Sequence, residues 1–283
     1  VKNLTASTCF LFDNGSFRPE STLALRRVAA RLAEQIGHTV VPTSLLHSGR
    51  VKAEDLNGEP AQLLEPALEQ FAANGGQSAV VLPLFFGPSG AMRDYLPPRL
   101  NALRERFSAC EIRLAGSLES PLDDSAEVIA QAMAEEVNRT IEQARFEKPD
   151  VIATDHGSPL PAVAEVRNRI GQKLGDQHQS TWGRVSVSSM ERREGAEYAF
   201  NDPLLEDALK TCAGRGSREI VIALQFLFPG RHAGPGGDIA SISDTFIAET
   251  PGARVEMTRP IGESDQILQL LERRFRETVS SSS

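Results

Sequence analysis

Cysteine is scarce in this chain of 283 residues. Cys9, Cys110 and Cys212 are the only three, far apart and without a CxxC pair. An odd, dispersed set excludes a disulfide framework and fits a reducing compartment. Long apolar runs are also missing, so no transmembrane helix is expected. The start, VKNLTASTCFLF, holds no apolar segment of signal-peptide length. Positive charge is in deficit: 30 Lys and Arg stand against 38 Asp and Glu, a net charge of −8. No basic face for nucleic acid follows from that balance, and a strongly anionic ligand would need local arginines. These absences predict a cytoplasmic protein with neither a nucleic-acid nor a membrane partner. The closing SSSS reads as a frayed tail. Histidine is sparse too, five in all with no histidine-rich tail. Each position therefore carries information.

What is present is ordinary globular material. Apolar residues make up 40% and charged residues 24%, enough for a sizeable core, and the length suits two domains. Apolar runs at 8–12, 39–41, 79–86 and 111–115 read as strands. Amphipathic stripes follow them, from Leu25 through Val28 and Leu32 to Ile36, near 61–73 and 95–107, and over 124–146. The order then begins again. VIAT (151–154) precedes a stripe of Val163, Val166, Ile170 and Leu174. VSV (185–187), a helix opening at PLLEDAL (203–209), the long run IVIALQFLF, RVEM (254–257) and a last helix complete it. Alternating strands and helices imply parallel sheets covered on both faces.

The two halves align with each other. DNGS at 13–16 matches DHGS at 155–158. LPLFFGPSGA matches LQFLFPGRH with Pro88 on Pro229, and EPAQLLEPAL resembles DPLLEDAL with Pro60 on Pro203. The expected architecture is two similar doubly wound α/β domains, residues 1–146 and 147–283, joined near RFEKPD.

The repeat acts as an internal control, because residues that serve the fold recur in both halves. Gly15 and Gly157 read as turn residues, Ser16 and Ser158 as helix caps, and Asp94 and Asp238 as caps as well. The histidines do not recur. His156 faces Asn14, and His232, three residues after Pro229, faces Ala91. Both stand just past the C-terminal ends of apolar runs, the edge where open α/β sheets bind ligands. A lone histidine at such a turn is an ordinary hydrogen-bonding residue. A pair missing from the sister half suits a divalent transition metal, and imidazole is also a base that works near neutral pH. Glu191, aligned with His47, is the carboxylate expected to complete the site, with Glu194 behind it. His38 and His178 read as solvated residues of connections.

HGS after the first strand, then a long apolar strand running into FLFPGRH with Asp-Ile shortly after, resembles the class II chelatases, the CbiX-type sirohydrochlorin cobaltochelatases and ferrochelatases. The resemblance spans both halves and is clearest at 151–174, 186–209 and 219–240. It implies a tetrapyrrole enclosed between two similar domains and a metal served by His156 and His232, with Glu191 as the family's glutamate. Asn14 and Ala91 depart from the pattern, so the first domain is expected to lack a metal site. The insert AGPGG (233–237) is a second departure. The implied activity is insertion of Co2+ or Fe2+, as substrate, into sirohydrochlorin or a related tetrapyrrole for cobalamin or siroheme, without an organic cofactor. A non-catalytic tetrapyrrole or metal carrier on the same fold is the alternative. The substrate's carboxylates would meet Arg192, Arg193 and Arg231 in the second half and Arg18, Arg50 and Arg93 in the first, since guanidinium matches carboxylate geometry. A chain with two fused domains can enclose its ligand alone, which favours a monomer.

Overall fold

Each apolar run becomes a strand and each amphipathic stripe a helix. A computed structural model of the chain describes residues 7–177, 180–234 and 236–281. The first half runs β1 (Thr8–Asp13), α1 (Pro19–Ile36), β2 (Val40–Ser44), α2 (Leu64–Ala73), β3 (Ser78–Pro83), α3 (Leu96–Arg106), β4 (Glu111–Leu114) and α4 (Ser125–Ala144). The second repeats it: β5 (Asp150–Asp155), α5 (Pro161–Asp176), β6 (Val185–Ser189), α6 (Leu205–Gly214), β7 (Glu219–Leu224), α7 (Asp238–Glu249), β8 (Arg254–Met257) and α8 (Asp265–Ser280). His178, Pro235 of the insert, residues 1–6 and the last two serines lie outside the described residues.

The strands form two parallel four-stranded sheets, ordered β2-β1-β3-β4 and β6-β5-β7-β8. This is the expected doubly wound α/β class. The central strands β5 and β7 are buried along nearly their whole length, as strands covered on both faces must be. One face of the second sheet packs Ile220, Ile222 and Leu224 against Leu205, Leu209 and Phe246. The equivalent face of the first packs Phe10, Phe12 and Val81 against Leu64, Leu68 and Leu100.

The compact units do not divide at residue 146. One comprises the described residues up to Ser120 together with those from Ile267, and the other is Pro121–Gln266. The reason is an exchange of helices. α4, the last helix of the first repeat, packs on α5, β7 and β8, and its Asn138 accepts the indole N–H of Trp182 at 2.8 Å. α8, the last helix of the second repeat, belongs with the first sheet. There Arg274 donates to the carbonyls of Ser117 and Leu118 at 2.8 and 2.9 Å. Sequence similarity marks the repeat, whereas packing marks the unit.

Hydrogen bonds also correct two pairings within the repeat. Ser44 N–H bonds the carbonyl of Gln62, and Ser189 N–H bonds that of Pro203, so Pro203 corresponds to Gln62 and not to Pro60. Leu46 N–H bonds Asn14, and Glu191 N–H bonds His156. The counterpart of Glu191 is therefore Leu46, not His47.

Candidate active site

β5 and β7 are hydrogen-bonded neighbours, with β6 on one side and β8 on the other. The chain reverses its winding between them, at the switch point where α/β sheets form ligand crevices. His156 follows β5 directly. β7 ends at Leu224, earlier than the apolar run suggests, and the loop from Gln225 carries His232 back over the strand ends. That loop is anchored by Phe226 and Leu227, whose carbonyls accept the N–H groups of Ile261 and Gly262.

The two imidazoles meet. Nε2 of His156 lies 3.3 Å from Nε2 of His232, with the rings near perpendicular and their centroids 4.6 Å apart. Each ring also has a partner on its far side. Nδ1 of His156 is 3.1 Å from the carbonyl of Gly157, which can only accept. Nδ1 of His232 is 2.5 Å from the carboxylate of Asp238. With both rings neutral and donating from Nδ1, each Nε2 turns a lone pair towards the other. Two facing lone pairs repel unless a cation stands between them. Nitrogens bound about 2.05 Å from one tetrahedral cation sit about 3.3 Å apart, by the bond lengths of zinc–imidazole centres.

Glu191 joins them, with Oε1 3.6 Å from Nε2 of His156 and its side chain mostly exposed. The arrangement is open: among the described residues no three His, Cys, Asp or Glu side chains form a finished cage for a metal ion. The HGS glycine explains how Glu191 arrives. Gly157 has φ +90°, and a Cβ there would fall 1.9 Å from the carbonyl oxygen of Glu191. Only glycine allows the two loops to pass so closely.

Beneath the histidines, Asp155 accepts the hydroxyl of Ser189 at 2.6 Å and the N–H of Gly157 at 3.1 Å. Burial pushes its carboxyl up, and the Ser189 hydrogen bond and the nearby Arg167 guanidinium work against that. Ser158 does not cap α5. Its Oγ takes the N–H of Leu160, ahead of the helix, as Ser16 does for Arg18. Nor is Asp238 a helix cap; its bond to His232 is a role the sequence pattern did not reveal.

The arginines are unequal. Arg192 is tied to Asp202 at 2.8 Å and to the Gly195 carbonyl at 2.9 Å. Arg193 reaches the face of Tyr198, 5.9 Å from its centroid. Arg231 is 80% exposed beside the pair, 4.0 Å from Asp238. Glu194 is exposed on the same loop as Arg192 and Arg193. In the first unit, Arg18 precedes α1, Arg93 lies 4.0 Å from Asp94, and Arg50 lines a cavity of about 490 Å³ with His47 and Tyr95. His38 is held by the Ser7 carbonyl at 3.1 Å and packs on Phe275; it is a packed residue, not a solvated one.

Residues 150–278 match the family CbiX. That stretch runs from β5 to within α8. Its β5 end, β6 loop and β7 loop carry all three members of the candidate site. Over 87 residues the chain is 30% identical to the chloroplastic sirohydrochlorin ferrochelatase of Arabidopsis thaliana. That stretch spans 31% of this chain and 38% of the relative's length. The whole chain shares the fold of SirB from Bacillus subtilis, a structure with Fe3+, at a TM-score of 0.71 and 17% identity, covering 98% of this chain and 97% of the other. A CbiX described as the terminal enzyme of siroheme biosynthesis in denitrifying bacteria matches at a TM-score of 0.60 and 15% identity, over 96% and 98% of the two chains. The stretch similar to CbiX therefore lies within a fold that these two structures share over both repeats.

Proposed function

We propose that this protein is a sirohydrochlorin chelatase, inserting a divalent metal, Co2+ or Fe2+, into the macrocycle. The observation that carries the reading is the pair of Nε2 atoms facing each other at 3.3 Å. A site that holds two bare imidazole nitrogens together with a carboxylate in reach suits a transition cation. Its openness suits a metal that must be given up, because a substrate ion has to leave.

Insertion exchanges one dication for two pyrrole protons. His156 and His232 receive the cation and strip part of its water. As the metal passes to the macrocycle nitrogens, the freed Nε2 positions and Glu191 take the two protons and pass them to solvent. Asp238 steadies the His232 ring and balances the charge it gains. Arg231 and Arg193 stand exposed to meet substrate carboxylates; Arg192 already has a carboxylate partner. The reading includes a cytoplasmic monomer that needs no organic cofactor, nucleic acid or membrane. The three cysteines are free and buried, and among the described residues no helix is long and apolar enough to cross a membrane.

The test is to mix protein, Co2+ or Fe2+ and sirohydrochlorin and follow the absorption spectrum. A chelatase accelerates the spectral change over the protein-free rate with many turnovers per chain. A carrier binds the macrocycle or metal without acceleration, and that outcome would replace this reading.

A further inference from the structure

The helices α1 and α5 correspond residue by residue, with Pro19 matching Pro161, Val28 matching Ile170 and Leu32 matching Leu174. In that register Leu25 of the first unit corresponds to Arg167 of the second, and each is 1% exposed. One core position is thus filled by leucine in one unit and by a guanidinium in the other. Burying that charge is costly unless its donors find acceptors, and the fold alone does not ask for it.

The acceptors of Arg167 show what it joins. Nη1 donates to Ser189 Oγ at 2.5 Å and to the Asn201 carbonyl at 2.8 Å. Nη2 donates to the Phe200 carbonyl at 3.1 Å, and Asn168 Oδ1 accepts from both Nε and Nη2. Asp155 lies 4.0 Å away. Ser189 ends β6, two residues before Glu191, and Phe200 and Asn201 close the loop that begins there. Asn201 carries the connection to the turn of His156, accepting the N–H of Ser158 at 3.0 Å and donating to its carbonyl at 2.9 Å. Ser189 reaches the same turn through Asp155. In the first unit, with Leu25 below, the N–H of Ser16 is met instead by the hydroxyl of Ser48 at 3.1 Å. The unit that lacks the counterparts of His156 and His232 is also the unit with leucine at the position of Arg167.

We propose that Arg167 is a positioning residue for the His156–His232 site, a buried clamp that fixes the loop of Glu191 against the turn of His156. The proposal rests on the chelatase reading above. Arg167 touches neither metal nor macrocycle, so its removal should act on the geometry of the reacting groups. Small misplacements of such groups cost roughly 10- to 100-fold in rate.

Arg167→Leu installs what the sister unit carries, and Arg167→Lys keeps the charge but cannot span the same acceptors. The readouts are thermal midpoint, Co2+ affinity from the visible absorption of the bound ion, and kcat and KM for sirohydrochlorin per folded molecule. The expected result is a folded Arg167→Leu protein with a midpoint at or above the natural one, weakened Co2+ binding, and kcat reduced roughly 10- to 100-fold while KM changes little. Arg167→Lys should recover part of the loss. Natural kcat and Co2+ affinity in Arg167→Leu would overturn the clamp. So would failure of that variant to fold, since the position would then belong to the core. Should the natural protein itself not accelerate insertion, the chelatase reading falls, and Co2+ affinity alone judges the clamp: a loss in Arg167→Leu supports it and an unchanged value overturns it.

Discussion

Nδ1 of His232 and Oδ2 of Asp238 are 2.5 Å apart. The carboxylate comes from the first turn of α7 and decides which ring nitrogen is left for a cation. Outer carboxylates of this kind orient metal-binding imidazoles and raise their basicity, and their loss costs about 10- to 100-fold in affinity. Asp238→Ala should weaken Co2+ binding by that order in a titration, with far-ultraviolet circular dichroism unchanged. Unaltered affinity would leave Asp238 as a surface neighbour of Arg231.

His156→Ala and His232→Ala should each remove most insertion activity and leave the fold intact. Both rings stand at loop positions outside the packed strands, and neither belongs to the core of the second sheet. The assay is initial insertion rate beside the thermal midpoint. A natural rate in either variant would remove the site assignment.

Glu191→Gln should lower turnover more than it weakens tetrapyrrole binding. The amide is close to the carboxylate in size but cannot take a proton near neutral pH. Rates from the absorption assay, set against binding measured without metal, separate the two effects. If turnover does not change, Glu194 on the same exposed loop is the next carboxylate to test.

The first unit carries a pH dependence of its own. Burial pushes the Asp13 carboxyl up to about 6 from its ordinary 3.8, although hydrogen bonds from Ser44 and Gly15 oppose the rise. The folded state therefore holds this proton more tightly than the unfolded chain. The stabilisation is fully present below about pH 4 and is lost as the pH rises through about 6, a change of at most about 3 kcal/mol. Asp13→Asn keeps an oxygen for Ser44 and Gly15 and has no charge to bury. Thermal melts from pH 4 to 7 should show the natural midpoint falling by a few degrees and the variant's falling less. Parallel curves would show that Asp13 is not the titrating group.

Elements with a strong period were legible in the sequence, and so was the histidine pair, because apolar alternation sets strand neighbours and the repeat supplied a control for His156 and His232. Three things were not. The exchange of α4 and α8 between units leaves no local signal, since an amphipathic helix reads alike whichever sheet it covers. The counterpart of Glu191 was misplaced by one residue, because β2 and β6 align at a different spacing from β1 and β5 and only backbone hydrogen bonds reveal it. Asp238 reads as a helix cap in the sequence, and nothing in the stripe of α5 singles out Arg167. Their roles depend on partners 6 to 34 residues away, such as His232, Ser189 and Asn201.

The asymmetry of the repeat leads to a stoichiometry. At the sheet edge of the first unit, Asn14 replaces His156, Leu46 replaces Glu191 and Ala91 replaces His232. An amide is a weak ligand for a borderline-soft cation, and the two aliphatic residues offer nothing. Calorimetric titration with Co2+ should therefore find one ion per natural chain, lost in His232→Ala and unaffected by Asn14→Ala. The double change Asn14→His with Ala91→His tests whether the shared backbone suffices for a site. The turn is already built, since Gly15 and Gly157 pass equally close to the carbonyls of Leu46 and Glu191. The support is only partial: Asp94 recurs opposite Asp238, but Leu25 stands where Arg167 does. A second ion bound at least about tenfold more weakly than the first is the expected result, because the new site has Leu46 in place of Glu191 and no buried guanidinium to support its loops, and outer support of this kind carries affinity of that order. Two equivalent ions in the natural protein would overturn the asymmetric assignment outright.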